Sequence, residues 1–339
     1  MSDSVLDQIL ESFRNSSSKY FPQHGQLKAV RVVGHTPKPD HYTYEVVLDF
    51  EAASARISAK LYRGGKPGQR VPQELARNEV QNLQYVWQES EKRKLSGIPC
   101  PIGDFTELGA VASTKVNGLP LQSIIMKVAL LPDNGNHALL QAAARQAGGW
   151  LRQFHRITAG VPTALNTGAI LEEMERLCLK GQKDGLPAEA TATILKNARV
   201  TLSRHKKPVR SSAVLNDYLP LNVMVSESGV GFSDFASLSR NGVSLHDAAV
   251  FLAAVEALEK YPFCDRRITA LVQDTFLEAY GVSAPEHSLL SLMKMKVLLQ
   301  MFAQGRSVKE SAVRKKVMWA NVMKRFIQQA AERSMAPAA

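Results

Sequence analysis

Residues 213–236 constrain this 339-residue chain more than any other stretch. They read Ala-Val-Leu-Asn-Asp217-Tyr-Leu-Pro-Leu-Asn222-Val-Met-Val, then, past a turn, Gly231-Phe-Ser-Asp234-Phe-Ala. An apolar run, a polar loop, a second apolar run, a turn and a third run make a strand–turn–strand unit. Such a unit places Asp217, Asn222 and Asp234 close together at strand ends. Asp and Asn are common turn formers, but their joint spacing argues for more than turns. A carboxylate with an amide oxygen is the donor set a hard divalent cation takes. A second carboxylate nearby can orient or deprotonate a hydroxyl.

The rest of the chain supplies a frame for that unit. The first third reads as β-rich: Leu27–Val33 alternates, Gly34-His-Thr-Pro-Lys-Pro-Asp breaks the pattern, and Tyr42–Phe50 and Ala55–Tyr62 resume it. Arg63-Gly-Gly-Lys-Pro-Gly is a turn, and a helix is predicted from Pro72 to Glu91. Ile102–Phe105 and Ala110–Lys115 read as further strands, with a turn at Asn117-Gly118. Helical spacing sets in from Leu139 to Ile157 and dominates thereafter, ending in Leu289–Gln304 and Ser307–Arg333. The expected fold class is α+β and two-lobed. Residues 1–116 form a small antiparallel β-rich lobe with one helix. Residues 117–285 form a larger helical lobe holding the 213–236 unit, and residues 286–339 a basic helical extension.

Cys100, Cys178 and Cys264 are odd in number and far apart, which fits neither a disulfide framework nor a zinc site. No stretch reads as a leader or a bilayer span, so a cytoplasmic protein is expected. The formal net charge of +11 concentrates late, in Lys294, Lys296, Arg306, Lys309, Arg314, Lys315, Lys316, Lys324, Arg325 and Arg333. A basic face attracts nucleic acid, anionic lipid or phosphorylated substrates. Charge alone, with no recognition motif, does not make a nucleic-acid partner. Met318, Trp319, Val322, Phe326 and Ile327 provide an apolar face that either docks on the protein or rests at the inner face of a membrane.

Asn216-Asp-Tyr-Leu-Pro-Leu-Asn222 resembles the catalytic loop of the aminoglycoside phosphotransferase and choline kinase family, and Asp234-Phe-Ala resembles its metal-binding Asp-Phe-Gly. His246-Asp247-Ala-Ala resembles the segment whose Asp braces that loop. Upstream, Ile57-Ser-Ala-Lys60-Leu-Tyr-Arg resembles the strand whose lysine grips the phosphates. Glu79 fits the glutamate that pairs with it. Gly97-Ile-Pro-Cys-Pro101 resembles the stretch after that helix. Ser113-Thr-Lys-Val-Asn-Gly118-Leu-Pro-Leu121 resembles the hinge that holds adenine, and Leu151-Arg-Gln-Phe-His155 the end of the first large helix of the second lobe. The resemblance spans residues 28–280. It implies a phosphotransferase with ATP and Mg2+ as cofactors and an alcohol group as acceptor. Asp217 would be the base, with Asn222 and Asp234 on the metal. Lys60, Glu79, Thr114, Lys115 and Val116 would be at the nucleotide, and Asp247 structural.

The chain departs from the pattern twice. Leu215 stands where the family carries His, and the segment from Gly34 to Tyr44 holds Pro-Lys-Pro-Asp in place of a glycine-rich phosphate loop. A catalytically silent scaffold is the alternative these departures leave. From Lys127 to Arg210, basic residues outnumber acidic ones about two to one, against a polycationic acceptor and toward a neutral or anionic one. A sugar, a phosphorylated metabolite or a lipopolysaccharide-type saccharide fits that charge, while the resemblance itself allows a sugar or an amino alcohol.

Overall fold

The structure, a computed structural model, describes residues 2–64, 71–131, 133–261, 263–304, 312–325 and 327–328. The chain divides into two compact units. The first comprises Met1–Asn117 with Gly231–Leu238, the second Gly118–Val230 with Ser239–Ala339.

In the first unit, β1 (Leu27–Pro37), β2 (His41–Phe50), β3 (Ser54–Tyr62) and β4 (Ala110–Thr114) form an antiparallel sheet in that order. Period-two alternation gives the sheet two different faces. Val46, Leu48 and Phe50 on β2, Ile57, Ala59 and Leu61 on β3, and Ala110 and Ala112 on β4 belong to one apolar core. Ile9, Leu10 and Phe13 of helix α1 (Ser2–Tyr20) complete it. Pairing sets Thr43 opposite Lys60 and Glu45 opposite Ser58, so a polar set occupies the other face.

Helix α2 (Pro72–Arg93) begins with Pro72 at its first turn and ends at Lys94 in the left-handed region, φ 55°. Its buried positions include Ala76, Glu79, Val80, Leu83 and Val86. A carboxylate in that stripe demands a partner.

Three expectations are corrected here. The N-terminal segment forms α1, which the sequence reading passed over. Strand β1 does not break at Gly34: a register shift between Val32 and Gly34 absorbs the irregularity, and pairing continues to Pro37 opposite Tyr42. Ile102–Phe105 is not a strand. Pro101 makes a single bridge to Ser113, Gly103 takes φ 69°, and Asp104 accepts the N–H and hydroxyl of Thr106, starting a 3-10 turn at Thr106–Leu108. The turn expected from Arg63 onward lies outside the described residues after Gly64.

The second unit is mainly helical. It holds α3 (Leu121–Leu130), α4 (Asn134–Ile157), α5 (Thr167–Lys183), α6 (Ala188–Arg204), α7 (Leu245–Ala257), α8 (Arg266–Tyr280) and α9 (His287–Gln304). Two-residue β5 (Leu119–Pro120) pairs with β7 (Val223–Ser226), which turns into β8 (Gly229–Phe232). Strand β6 (Ser211–Val214) pairs with β9 (Ser239–Val243). Helix α7 is buried almost all round, as a central helix must be. Gly148 lets α4 approach α8, since a Cβ there would collide with the Phe276 carbonyl.

Among the described residues, several of the late basic side chains are paired within this unit. Lys294 donates to Glu256 at 2.5 Å and Lys296 to Glu173 at 2.8 Å, and Arg325 reaches Glu259 at 2.5 Å and Glu256 at 3.2 Å. Among the described residues, α10 (Ala312–Met318) passes into a π-helical turn at Trp319–Met323. Met318, Val322 and Met323 are buried. The apolar face considered for a membrane is therefore, at Met318 and Val322, part of the unit's own core. Phe326 and Arg333 lie outside the described residues, as do Arg306 and Lys309. Among the described residues, no helix is long and apolar enough to cross a membrane.

Candidate active site

On the polar face of the first unit's sheet, Lys60 Nζ donates to Glu79 Oε1 at 3.1 Å and to Asp234 Oδ1 at 3.2 Å. These residues come from β3, α2 and the 231–238 segment. Tyr62, two residues on along β3, donates its hydroxyl to the other oxygen of Glu79 at 2.5 Å. Glu79 is 4% exposed, so its carboxylate is satisfied by a cation and a phenol rather than by water.

Electrostatics follow from that packing. Burial alone would drive Lys60 down, but Glu79 and Asp234 outweigh it and hold the ammonium charged. Burial pushes Glu79 up, opposed by Lys60. Asp234 is also desolvated, yet Lys60 and the Ala236 N–H keep its carboxyl below the ordinary 3.8. Burial, then Glu79, pushes the Tyr62 phenol up.

The Asp234 segment is tied to α2 by side chains the sequence reading did not single out. Asn82 Nδ2 donates to the carbonyls of Phe235 at 3.1 Å and Leu238 at 3.3 Å, and Asn78 Nδ2 to that of Ala236 at 3.2 Å. One helical turn separates them, so both lie on the same side of α2. Helix α2 thus carries Glu79 and also fixes the segment bearing Asp234.

Thr114 ends β4, and Lys115 and Val116 follow it. The Thr114 N–H donates to the Cys100 carbonyl at 2.9 Å, and the Thr114 hydroxyl oxygen accepts the Cys100 N–H at 2.8 Å. The Lys115 N–H donates to the Arg56 carbonyl at 2.8 Å, and its ammonium is paired with Glu45. Val116 packs on Gly231, where a Cβ would come within 2.5 Å of Val116 Cγ1.

In the second unit, Asn222 Nδ2 donates to the Asp217 carboxylate at 3.0 Å and to its backbone carbonyl at 3.1 Å. With its amide nitrogen turned to Asp217, Asn222 keeps its amide oxygen as the acceptor end, which suits a cation ligand. Among the described residues, no group of three His, Cys, Asp or Glu side chains converges as a metal site.

Asp247, fully buried, accepts the backbone N–H groups of Leu215 and Asn216, each at 2.8 Å. His155 joins it at 3.0 Å and reaches the Tyr280 hydroxyl through its other nitrogen, also at 3.0 Å. Asn216 takes the left-handed conformation, φ 61°, which Asn tolerates better than most residues. This brace acts on the backbone at Leu215, so it does not depend on a His side chain there. Leu215 itself is fully buried.

Tyr62, Asn78, Asn82 and His41 are the residues that sequence reasoning missed. Tyr62 had a usable signal, since period two puts it on the face of Lys60. His41 lies opposite Tyr62 in the β2–β3 pairing, with the ring centroids 5.8 Å apart.

Solved structures resemble this architecture, three of them as follows. A choline kinase from Cryptosporidium parvum Iowa II aligns over 98% of this chain and 98% of its own, with TM-score 0.60 and 10% identity. Amicoumacin kinase hAmiN, solved with AMP-PNP, Ca2+ and Ami, covers 96% of this chain and 95% of its own at TM-score 0.53 and 12% identity. Choline kinase LicA from Streptococcus pneumoniae covers 94% and 98% at TM-score 0.50 and 13% identity. No protein-family model matches the chain, and no curated protein matches it. The fold is that of these protein-kinase-like small-molecule kinases, and the α+β class expected from the sequence is borne out.

Proposed function

We propose that this chain is a phosphotransferase moving the γ-phosphoryl of ATP onto a hydroxyl of a small-molecule or saccharide acceptor. The observation that carries the reading is Lys60 held between Glu79 and Asp234 on a sheet that follows the protein-kinase-like arrangement. Phosphoryl transfer asks little covalent chemistry of a protein; it asks for fixed charge and a hydroxyl held in line. Lys60, oriented by Glu79 and Tyr62, binds the α- and β-phosphates as a point charge. Thr114, Lys115 and Val116 hold the adenine. Asp217, steadied by Asn222, orients the acceptor hydroxyl and takes its proton. By the resemblance, Asp234 and the Asn222 amide oxygen would hold Mg2+, which would supply positive charge to neutralise the phosphate oxygens. The excess of basic residues between Lys127 and Arg210 points to a neutral or anionic acceptor, such as a sugar, a phosphorylated metabolite or an envelope saccharide.

A silent scaffold on the same fold is the second reading, favoured by the proline-bearing turn between β1 and β2. Acceptor-dependent ADP release, measured across sugars, amino alcohols and saccharides, separates the two. Release with one class of hydroxyl acceptor, lost in Asp217→Asn, supports the enzyme. No release with any acceptor, from protein that binds nucleotide, supports the scaffold.

A further inference from the structure

The β1–β2 turn is poorly equipped to cradle a phosphate with backbone N–H groups, the role glycine-rich loops serve. Pro37 and Pro39 carry no N–H, and the N–H of Lys38 is taken by the His41 carbonyl at 2.8 Å. At most the N–H of Asp40 remains in the turn, beside a carboxylate that repels anions. Whatever holds the outer phosphates on this side must be a side chain.

Lys38 is exposed and sits at the tip of the turn, whereas His41 is 8% exposed and anchored. Its Nδ1 meets Asp40 Oδ1 at 2.8 Å. A carboxylate only accepts, so Nδ1 carries the hydrogen and Nε2 is the nitrogen left for a ligand. Register puts His41 opposite Tyr62, and in an antiparallel ladder it shares a face with Thr43 and Lys60. The ring lies close enough to Lys60 and Asp234 to feel both charges.

We propose that His41 is a phosphate-contacting residue: its ring takes up a proton from solvent as the phosphate arrives, and the Nε2–H so formed donates to an oxygen of the β- or γ-phosphate in place of the missing backbone cradle. The groups facing the ring are Asp40 beside it, Lys60 and Tyr62 on β3, and Asp234 from the 231–238 segment. Burial, then Lys60, hold the free ring below its ordinary 6.5. An arriving phosphate carries the opposite sign and favours the imidazolium that donates. A side chain so placed discriminates by phosphate number, because only the outer phosphates reach it.

The inference rests on the phosphotransferase reading, and its test separates the two. Adenosine, Mg-ADP and Mg-ATP are titrated calorimetrically into the full chain, native and His41→Ala. Loss of one charge-assisted hydrogen bond weakens Mg-ATP on the order of tenfold. Adenosine binding is unchanged, and His41→Gln, whose amide N–H can donate in its stead, recovers much of the loss. Should His41→Ala not fold, His41→Phe keeps a ring against Tyr62 without a donor and gives the same comparison. Mg-ATP binding equal to native, or an equal loss for adenosine, overturns the role of His41 alone. A native chain that binds none of the nucleotides overturns this role and the phosphotransferase reading together.

Discussion

Lys60 and Asp234, 174 residues apart in the chain, meet at 3.2 Å, and the same ammonium lies 3.1 Å from Glu79. Removing one partner of a buried charge set leaves the others uncompensated. Lys60→Met is expected to lower kcat/KM for nucleotide at least 100-fold. It should also destabilise the fold by about 3 kcal/mol, because Glu79 would keep only the Tyr62 hydroxyl. Glu79→Gln is expected to cost activity with a smaller stability loss, since an amide tolerates burial better than an unpaired carboxylate. Chemical denaturation beside ADP-release kinetics checks both.

Asp247 acts on the loop through its backbone bonds to Leu215 and Asn216. Asp247→Ala strands two buried N–H groups and an imidazole, at a cost of about 3 kcal/mol. Asp247→Asn, which keeps one acceptor, loses less stability. It still disturbs Asp217, so kcat should fall more than nucleotide affinity. A variant whose kcat survives while its melting temperature drops would limit Asp247 to packing.

Leu215→His puts an imidazole where the family pattern that this loop resembles has one. Leu215 is fully buried, and the brace already holds its backbone. An imidazole there is expected to destabilise by about 2 kcal/mol without raising activity. A gain in kcat would show that the loop does lack its histidine.

The C-terminal helix is docked by Met318, Val322 and Met323 and by Arg325 on Glu256 and Glu259. Arg325→Met should destabilise by about 2 kcal/mol, a figure reduced because the guanidinium is partly solvated. It should leave sedimentation with anionic liposomes at background, as in native protein. Strong liposome binding by native protein would mean that this helix undocks.

Acid should weaken the fold early. Burial holds His41 and His246 below the ordinary 6.5. At pH under 6.5 the unfolded chain binds protons that the folded chain resists, so stability falls as pH drops through that value. Melting temperatures from pH 7.5 to 5.5 should decline in native protein. The decline should be shallower in a His41→Gln, His246→Gln double variant.

The sequence revealed the parts that depend on order along the chain. Lys60 on a strand, Glu79 on the next helix, Asp217 and Asn222 in a loop and Asp234 after a turn are legible because spacing and period are local. Asn78 and Asn82 were not, because their partners at Phe235, Ala236 and Leu238 lie more than 150 positions away. The same reason hid the true state of the late basic residues: nothing near Arg325 in sequence announces Glu259, 66 residues earlier. Helix α1 was missed although Ile9, Leu10 and Phe13 repeat at helical spacing, because the strands that follow gave the stronger pattern. Gly34 looked like a breaker, since a bulge and a turn share the same glycine signal.

The most direct test is a calorimetric titration of ATP into native chain and Asp234→Ala, each with and without Mg2+. Binding to native protein that strengthens at least tenfold with Mg2+, with that increment gone in Asp234→Ala, is the predicted result. Absence of binding to native protein, or binding indifferent both to Mg2+ and to Asp234, would contradict the account.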